Sequence, residues 1–367
     1  MTKKFKDAVR QIHLWLGLGT GLIVVIISLT GCVYVFEKEI REFVQRDYKS
    51  VPVANSGFAG LENIIRSFDK VAPGENLTAI RIKNSQPNAT VSVTTKKNHV
   101  YFFNPYTAAL VKQSNLDWLD TAEHIHTSLL LDEPGKFIIR WSVVIFVIIL
   151  ISGIVLWFPN QMRLVKQSVT IKWNASFKRV NYDLHNVLGF YSSGILLIIA
   201  LSGLYFAFKE VKIAASFVSG SRLSEVTKAD AVQEPLSKDL AVRYDQLYSR
   251  TVAKFPGADA TTLSVRKTGE IRLRLIYPYK WAKKQNTFFF DPVTGALLNY
   301  KLYKENTRAD VLEATNYDLH TGQLFGLFGK IVAFIVSLIS ASLPITGFII
   351  WLKKQKKGKK KKKLLKV

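Results

Sequence analysis

Asn181-Tyr182-Asp183-Leu184-His185 opens the stretch NYDLHNVLGFYSSGILLIIALSGLYFAF, residues 181–208. The same pentapeptide returns as Asn316-Tyr317-Asp318-Leu319-His320, ahead of the apolar run Ile331–Leu352. About 20 apolar residues suffice to cross a bilayer core of roughly 30 Å, and both runs reach that length. Two further runs match them, Leu14–Phe36 and Phe137–Phe158, with Arg140 as the one internal charge. Each of these also has a histidine at its mouth, His13 and His126. An imidazole in that position is costly to place unless something binds it. The sequence therefore predicts an α-helical integral membrane protein with four transmembrane helices and four histidines at their ends.

The distribution of charge orients the chain. The net charge is +24, which in a soluble protein would point to nucleic acid. Here the excess is gathered in three short segments: Lys3, Lys4, Lys6 and Arg10 at the N-terminus; Arg163, Lys166, Lys172, Lys178 and Arg179 between spans two and three; and ten lysines after Trp351. Only Asp7 and Asp183 oppose them. Such segments stay in the cytoplasm, so both termini are expected inside and both long loops outside. No nucleic-acid role is expected, and the lysine tail fits anionic lipid of the bilayer. Cys32 is the single cysteine, so there is no disulfide framework. It ends Leu29-Thr30-Gly31-Cys32, which looks like a lipoprotein processing site. The preceding apolar run is too long for a signal peptide, so span one reads as a permanent helix.

Self-comparison reveals an internal repeat. His13, Gly17, Gly31 and Phe36 recur 172 residues later as His185, Gly189, Gly203 and Phe208. His126, Gly135-Lys136, Gly153 and Trp157 recur 194 residues later as His320, Gly329-Lys330, Gly347 and Trp351. Small pairs stand at the far end of every span: Thr30-Gly31, Ser152-Gly153, Ser202-Gly203 and Thr346-Gly347. The outer loops repeat too, since Tyr101–Leu110 corresponds to Phe288–Leu297, each an aromatic strand running into an Asx-Pro turn. With amphipathic helices at Leu61–Val71 and Leu240–Phe255, each loop reads as a small α+β domain. Two such units in one orientation make a tandem parallel repeat about a pseudo-two-fold axis along the membrane normal.

The resulting segments are 1–36 (N-terminus and span one), 37–120 (first outer domain), 121–158 (outer-face histidine segment and span two) and 159–186 (basic loop). They continue as 187–208 (span three), 209–312 (second outer domain), 313–352 (outer-face histidine segment and span four) and 353–367 (lysine tail).

Topology sorts the histidines by side. His13 and His185 precede outward-running helices, and His126 and His320 precede inward-running ones. A two-fold axis brings equivalent side chains together from opposite directions, the geometry for two axial ligands on a planar cofactor. Haem fits this need: two trans imidazoles saturate its iron and favour electron transfer. Two haems b, one near each face, are expected, with Lys136 and Lys330 as candidate partners for their carboxylates. Zinc fits less well, since two imidazoles fall short of four ligands. Against these stand plainer roles: a lone histidine at a helix end is usually a cap or anchor, and Lys136 and Lys330 could equally snorkel. His124 has no counterpart in the repeat, and His99 reads as a surface residue. Trp157 and Trp351 read as interface belt residues, and Asp183 and Asp318 as helix caps.

The motifs Ile12-His13-Leu14-Trp15-Leu16-Gly17-Leu18, Asp183-Leu184-His185-Asn186-Val187-Leu188-Gly189 and Leu319-His320-Thr321-Gly322 resemble those of the PepSY-associated transmembrane family. Asn104-Pro105-x-Thr107 and Asp291-Pro292-x-Thr294-Gly295 are similar to PepSY domains. The resemblance spans nearly the whole chain. Some members of that family are siderophore-iron reductases of the bacterial inner membrane with two haems held by helix-end histidines, so the resemblance assigns those roles to His13, His185, His126 and His320. It implies reduction of a ferric siderophore or similar chelate by an oxidoreductase fed from a separate electron donor, for the chain contains no dinucleotide-binding glycine motif. The alternative is a non-enzymatic membrane module whose outer domains regulate an envelope peptidase or sense a ligand. Ala108 departs from the pattern at the position of the turn glycine, which predicts a looser first domain.

Overall fold

The computed structural model describes residues 2–114, 118–159, 161–229 and 236–364, with side chains to Gln355; the lysines of the tail beyond that point lie outside the described side chains. Along the chain, α1 (Lys3–Tyr34) is followed by α2 (Leu61–Val71), β1 (Leu77–Ile82), β2 (Val91–Thr95), β3 (Val100–Phe103) and β4 (Leu110–Ser114). Then come α3 (Trp118–Ser128), α4 (Asp132–Trp157) and α5 (Phe177–Ala207), the last with a π-helical turn at Leu184–Leu188. The second half adds β5 (Thr227–Lys228), α6 (Leu240–Lys254), β6 (Ala260–Val265), β7 (Ile271–Tyr277), β8 (Lys284–Phe290), β9 (Leu297–Lys301), α7 (Arg308–His320) and α8 (Gly326–Leu364).

The chain divides into two compact units. The first comprises Met1–Glu37, Trp118–Lys212 and Asn316–Val367. It holds four helices long and apolar enough to cross a membrane: Lys3–Tyr34, Asp132–Trp157, Phe177–Ala207 and Gln323–Gln355. These are apolar nearly all round, as lipid-facing helices must be, and Leu22, Ile148, Ile151 and Ile198 remain exposed on their surfaces. Helix α1 packs against α4 and α8, and α5 against the same two. Without a hydrophobic drive between helices in lipid, small residues set how closely they approach. Gly21 shows it: a Cβ there would lie 3.1 Å from Pro344 Cβ. The repeated Gly135 and Gly329 have a different reason. A side chain on either would collide with the carbonyl of Ser128 or Gly322, where the chain turns back from α3 or α7 into the span that follows.

The second unit comprises Lys38–Asp117 and Ile213–Thr315. The sequence predicts two separate α+β domains; the structure instead joins their strands into one antiparallel sheet, ordered β4-β3-β2-β1-β6-β7-β8-β9-β5. The seam is β1 against β6, with Ile80 opposite Leu263 and Arg81 opposite Thr262. Pairing there removes two exposed strand edges at once. Helices α2 and α6 pack against one another, and a single core runs through both halves, including Phe68, Phe103, Ile80, Leu263, Leu273 and Phe288. The two Asx-Pro turns are alike: Asn104 Oδ1 accepts from the backbone N–H of Tyr106 and Thr107, and Asp291 Oδ1 from Val293 and Thr294. Ala108 adopts φ 57° where Gly295 has φ 71°. The turn is thus kept, with the Ala108 methyl buried in the core and the backbone in a region that favours glycine.

Candidate functional site

All four helix-end histidines fall in the helical unit, and the structure brings them together in two pairs. The rings of His13 and His185 stand 6.3 Å apart between centroids, at 85°. Those of His126 and His320 stand 6.2 Å apart, at 65°. On α1, His13 precedes Gly31, the seat of His126, by 18 residues. At 1.5 Å per residue this separates the two levels by about 27 Å, close to the thickness of a bilayer core.

Each imidazole rests on the opposite end of the other span in its own half of the chain, and every seat has the same construction. A Cβ on Gly153 would come 3.4 Å from His13 Cε1; on Gly31, 3.1 Å from His126; on Gly347, 3.2 Å from His185; on Gly203, 3.4 Å from His320. The missing side chain also uncovers the carbonyl four residues earlier, whose second lone pair is free to accept. His126 Nδ1 bonds the Ile27 carbonyl at 2.9 Å, His185 the Leu343 carbonyl at 3.1 Å and His320 the Ile199 carbonyl at 3.0 Å. His13 makes the corresponding bond to Ile149.

The hydroxyl preceding each glycine completes the seat. Ser152 and Ser202 donate to that same carbonyl, of Ile149 and Ile199, while Thr30 and Thr346 share their proton between it, of Ile27 and Leu343, and the carbonyl one residue earlier, of Ile26 and Ser342. The oxygens of Ser152, Thr30, Thr346 and Ser202 stand 2.9, 3.3, 3.0 and 2.9 Å from Nδ1 of His13, His126, His185 and His320. With the hydroxyl proton committed to a carbonyl, Nδ1 faces two acceptors and must itself carry hydrogen. The remaining ring nitrogen, Nε2, keeps its lone pair, the form in which imidazole binds metals. The Ser/Thr-Gly pairs were visible in the sequence as recurring small residues, but their use as imidazole seats was not.

This geometry has a definite capacity. A metal–imidazole bond of about 2 Å with the ring centre about 1 Å beyond places two trans imidazoles about 6 Å apart, centre to centre, and both pairs have that spacing. Among the described residues no group of three or more His, Cys, Asp or Glu side chains could hold a metal ion. Two imidazoles alone suit a macrocycle that brings its own equatorial donors, so the residues present fit haem.

The other expected residues divide. Lys330 is buried, at 3% exposure. Lys136, its counterpart in the repeat, is half exposed and ion-paired with Glu133 at 2.7 Å. His124 is exposed on α3, and His99 lies in the sheet unit, paired with Glu75 at 2.8 Å. Asp183 accepts from Arg179 and the Lys172 backbone rather than from a histidine. Arg140, noted in the sequence only as an isolated charge, lies over the Phe208 ring at 5.4 Å, with its Nε buried and without a hydrogen-bond partner. Two residues back from Phe208, the Phe206 ring stands 5.8 Å from His320. A lone cation inside a span is the signal by which the sequence singles out Arg140.

Residues 10–354 match the family model described as the PepSY-associated TM region. A comparison with curated proteins finds no match.

Proposed function

The chain belongs to the PepSY-associated TM family, and from that premise we propose that this multi-pass membrane protein is a di-haem electron conduit that reduces a ferric siderophore or similar ferric chelate. The observation that carries the reading is the pair of 6.3 and 6.2 Å imidazole separations, each with its Nδ1 anchored and its Nε2 unclaimed. Haem b, when bound, would supply one-electron chemistry at each level.

The chain's own residues do the rest. His13 with His185, and His126 with His320, would hold the iron of each haem. The four Ser/Thr-Gly seats fix the tautomer and the ring plane, and a carbonyl behind each Nδ1 raises the basicity of Nε2. Lys330 and Arg140 supply positive charge for haem carboxylates; Lys136 is withdrawn from that role by Glu133. The apolar helix bodies exclude water between the levels.

By the positive-inside rule the end bearing the termini faces the cytoplasm of a bacterial inner membrane, and the end bearing His126 and His320 faces out. One electron enters near His13 and His185 from another protein, a quinol or a diffusible reductant. It leaves near His126 and His320, converting Fe(III) in the chelate to Fe(II). The test is a reduced-minus-oxidised spectrum with a haem count on protein purified from haem-replete cells. Two haems per chain uphold the reading; a colourless protein would refute it and leave a non-enzymatic membrane module.

A further inference from the structure

Alternation along the strands of the sheet unit sends Ile80 and Ile82 of β1, and Ile271, Leu273 and Leu275 of β7, into the core. By the same period of two, Arg81, Arg272 and Arg274 lie on the other face. The register sets them side by side. Thr262 on β6 pairs with Arg81 on one flank and Arg274 on the other, and Ser264 pairs with Arg272. Adjacent strands about 4.8 Å apart put Arg81 and Arg274 about 10 Å apart, while Arg272 and Arg274, two residues apart on one strand, are about 7 Å apart.

Among the described residues no carboxylate balances these charges. Their remaining neighbours on that face are Ser92, Ala79, Thr287 and Phe289. Glu270, the single acid of the β6–β7 hairpin, is engaged by Arg266 at 3.2 Å and by Thr268. Among the described residues none of the three arginines forms an ion pair; Arg272 reaches only the Ser264 hydroxyl, at 3.4 Å. The Nε of Arg274 and the hydroxyl of Thr262 are buried without hydrogen-bond partners. Burial, then the charges of Arg272 and Arg81, pull the Arg274 guanidinium down to about 10. Clustered like charges and orphaned buried polar atoms both destabilise a fold. A sheet face with no other task would be cheaper in threonine. Sites that break such local rules are where binding is found.

We propose that Arg81, Arg272 and Arg274, with the Thr262 hydroxyl between them, bind a small polyanion presenting two or more carboxylate or phosphate groups. The separations exceed the span of a single oxyanion, whereas guanidinium forks at two or three points suit a ligand with several. The inference does not depend on haem at the histidine pairs.

Calorimetric titration of the full chain in detergent at low ionic strength, with citrate and separately with pyrophosphate, tests it. Binding of citrate alone assigns carboxylate chemistry, of pyrophosphate alone phosphate chemistry, and of both the shared oxyanion; each upholds the proposal provided that Arg81→Gln and Arg274→Gln each weaken it at least tenfold. Arg66→Gln, on the helix-covered side, should leave it unchanged. Anion-free Arg274→Gln protein should melt a few degrees higher than the parent, because repulsion is relieved. No binding of either anion, unchanged binding in the Arg81/Arg272/Arg274 triple variant, or a lower melting temperature for Arg274→Gln would overturn it.

Discussion

Asn181 donates its side-chain amide to the carbonyl of Thr346 at 3.0 Å, and Asn316 donates to the carbonyl of Ser202 at 3.1 Å. Both acceptors belong to the residue immediately before a histidine-seating glycine. Each asparagine stands one helical turn before its histidine, so both side chains lie on one helix face and clasp the same end of the same partner helix. The two identical pentapeptides therefore do one job at opposite levels. In the first half, Val9 and Ala122 hold the asparagine positions, and those seats lack the amide clasp.

Asn316 is 3% exposed, so Asn316→Ala removes an interhelical hydrogen bond from a dry site. Such bonds contribute about 0.5–2 kcal/mol between membrane helices. The expected result is a lower thermal midpoint for the detergent-solubilised protein, while Ala122→Ser, at the corresponding position in the first half, changes it little. An Asn316→Ala protein as stable as the parent would remove the clasp from the account.

The glycine seats should be intolerant of size. At Gly347 even an alanine Cβ would lie 3.2 Å from His185 Cε1, so the ring must shift by a few tenths of an ångström. Valine cannot be fitted without expelling the ring. Gly347→Val is expected to lose the haem at the His13/His185 level and keep the other, read as a halved haem count. Gly194→Val, where a Cβ meets nothing within 4 Å, should keep both.

In the sheet unit, Asp310 is buried beside Lys301 at 2.6 Å and accepts from Ser224 and Thr307. Burial alone would raise its carboxyl; the Lys301, Thr307 and Ser224 hydrogen bonds outweigh it and hold the group well below the usual carboxylate range. Its stabilising contribution is full above the unfolded value of about 3.9 and is lost as pH falls toward the depressed folded value. Asp310→Asn should therefore be less stable than the parent at pH 7, with the gap narrowing on acidification below about pH 4. Thermal unfolding across that range checks the sign; a gap constant with pH would contradict it.

The spans and the histidine pairing were legible because both rest on period and repeat. Apolar length marks a membrane helix, and the offsets that relate His13 to His185 and His126 to His320 state which imidazoles share a level. The fused sheet was not legible. Nothing in the alternation of Leu77–Ile82 or Ala260–Val265 specifies that one edge meets the other, because pairing between strands so distant in sequence depends on tertiary placement. Lys136 and Lys330 are equivalent in the repeat yet differ in the structure: Lys136 is half exposed and paired with Glu133 one turn before it, whereas Lys330 is buried and the place corresponding to Glu133 is held by Leu327. A repeat predicts backbone position; the partner of a charge is local.

The central claim is that two levels each hold one haem between two imidazoles. Purified His185→Ala and His320→Ala proteins, compared by low-temperature reduced-minus-oxidised spectra and haem count, test it most directly. Each variant is predicted to lose one haem and retain the other, and the two losses should be of spectrally different haems. Loss of the same haem in both variants, or full haem content in either, would contradict it.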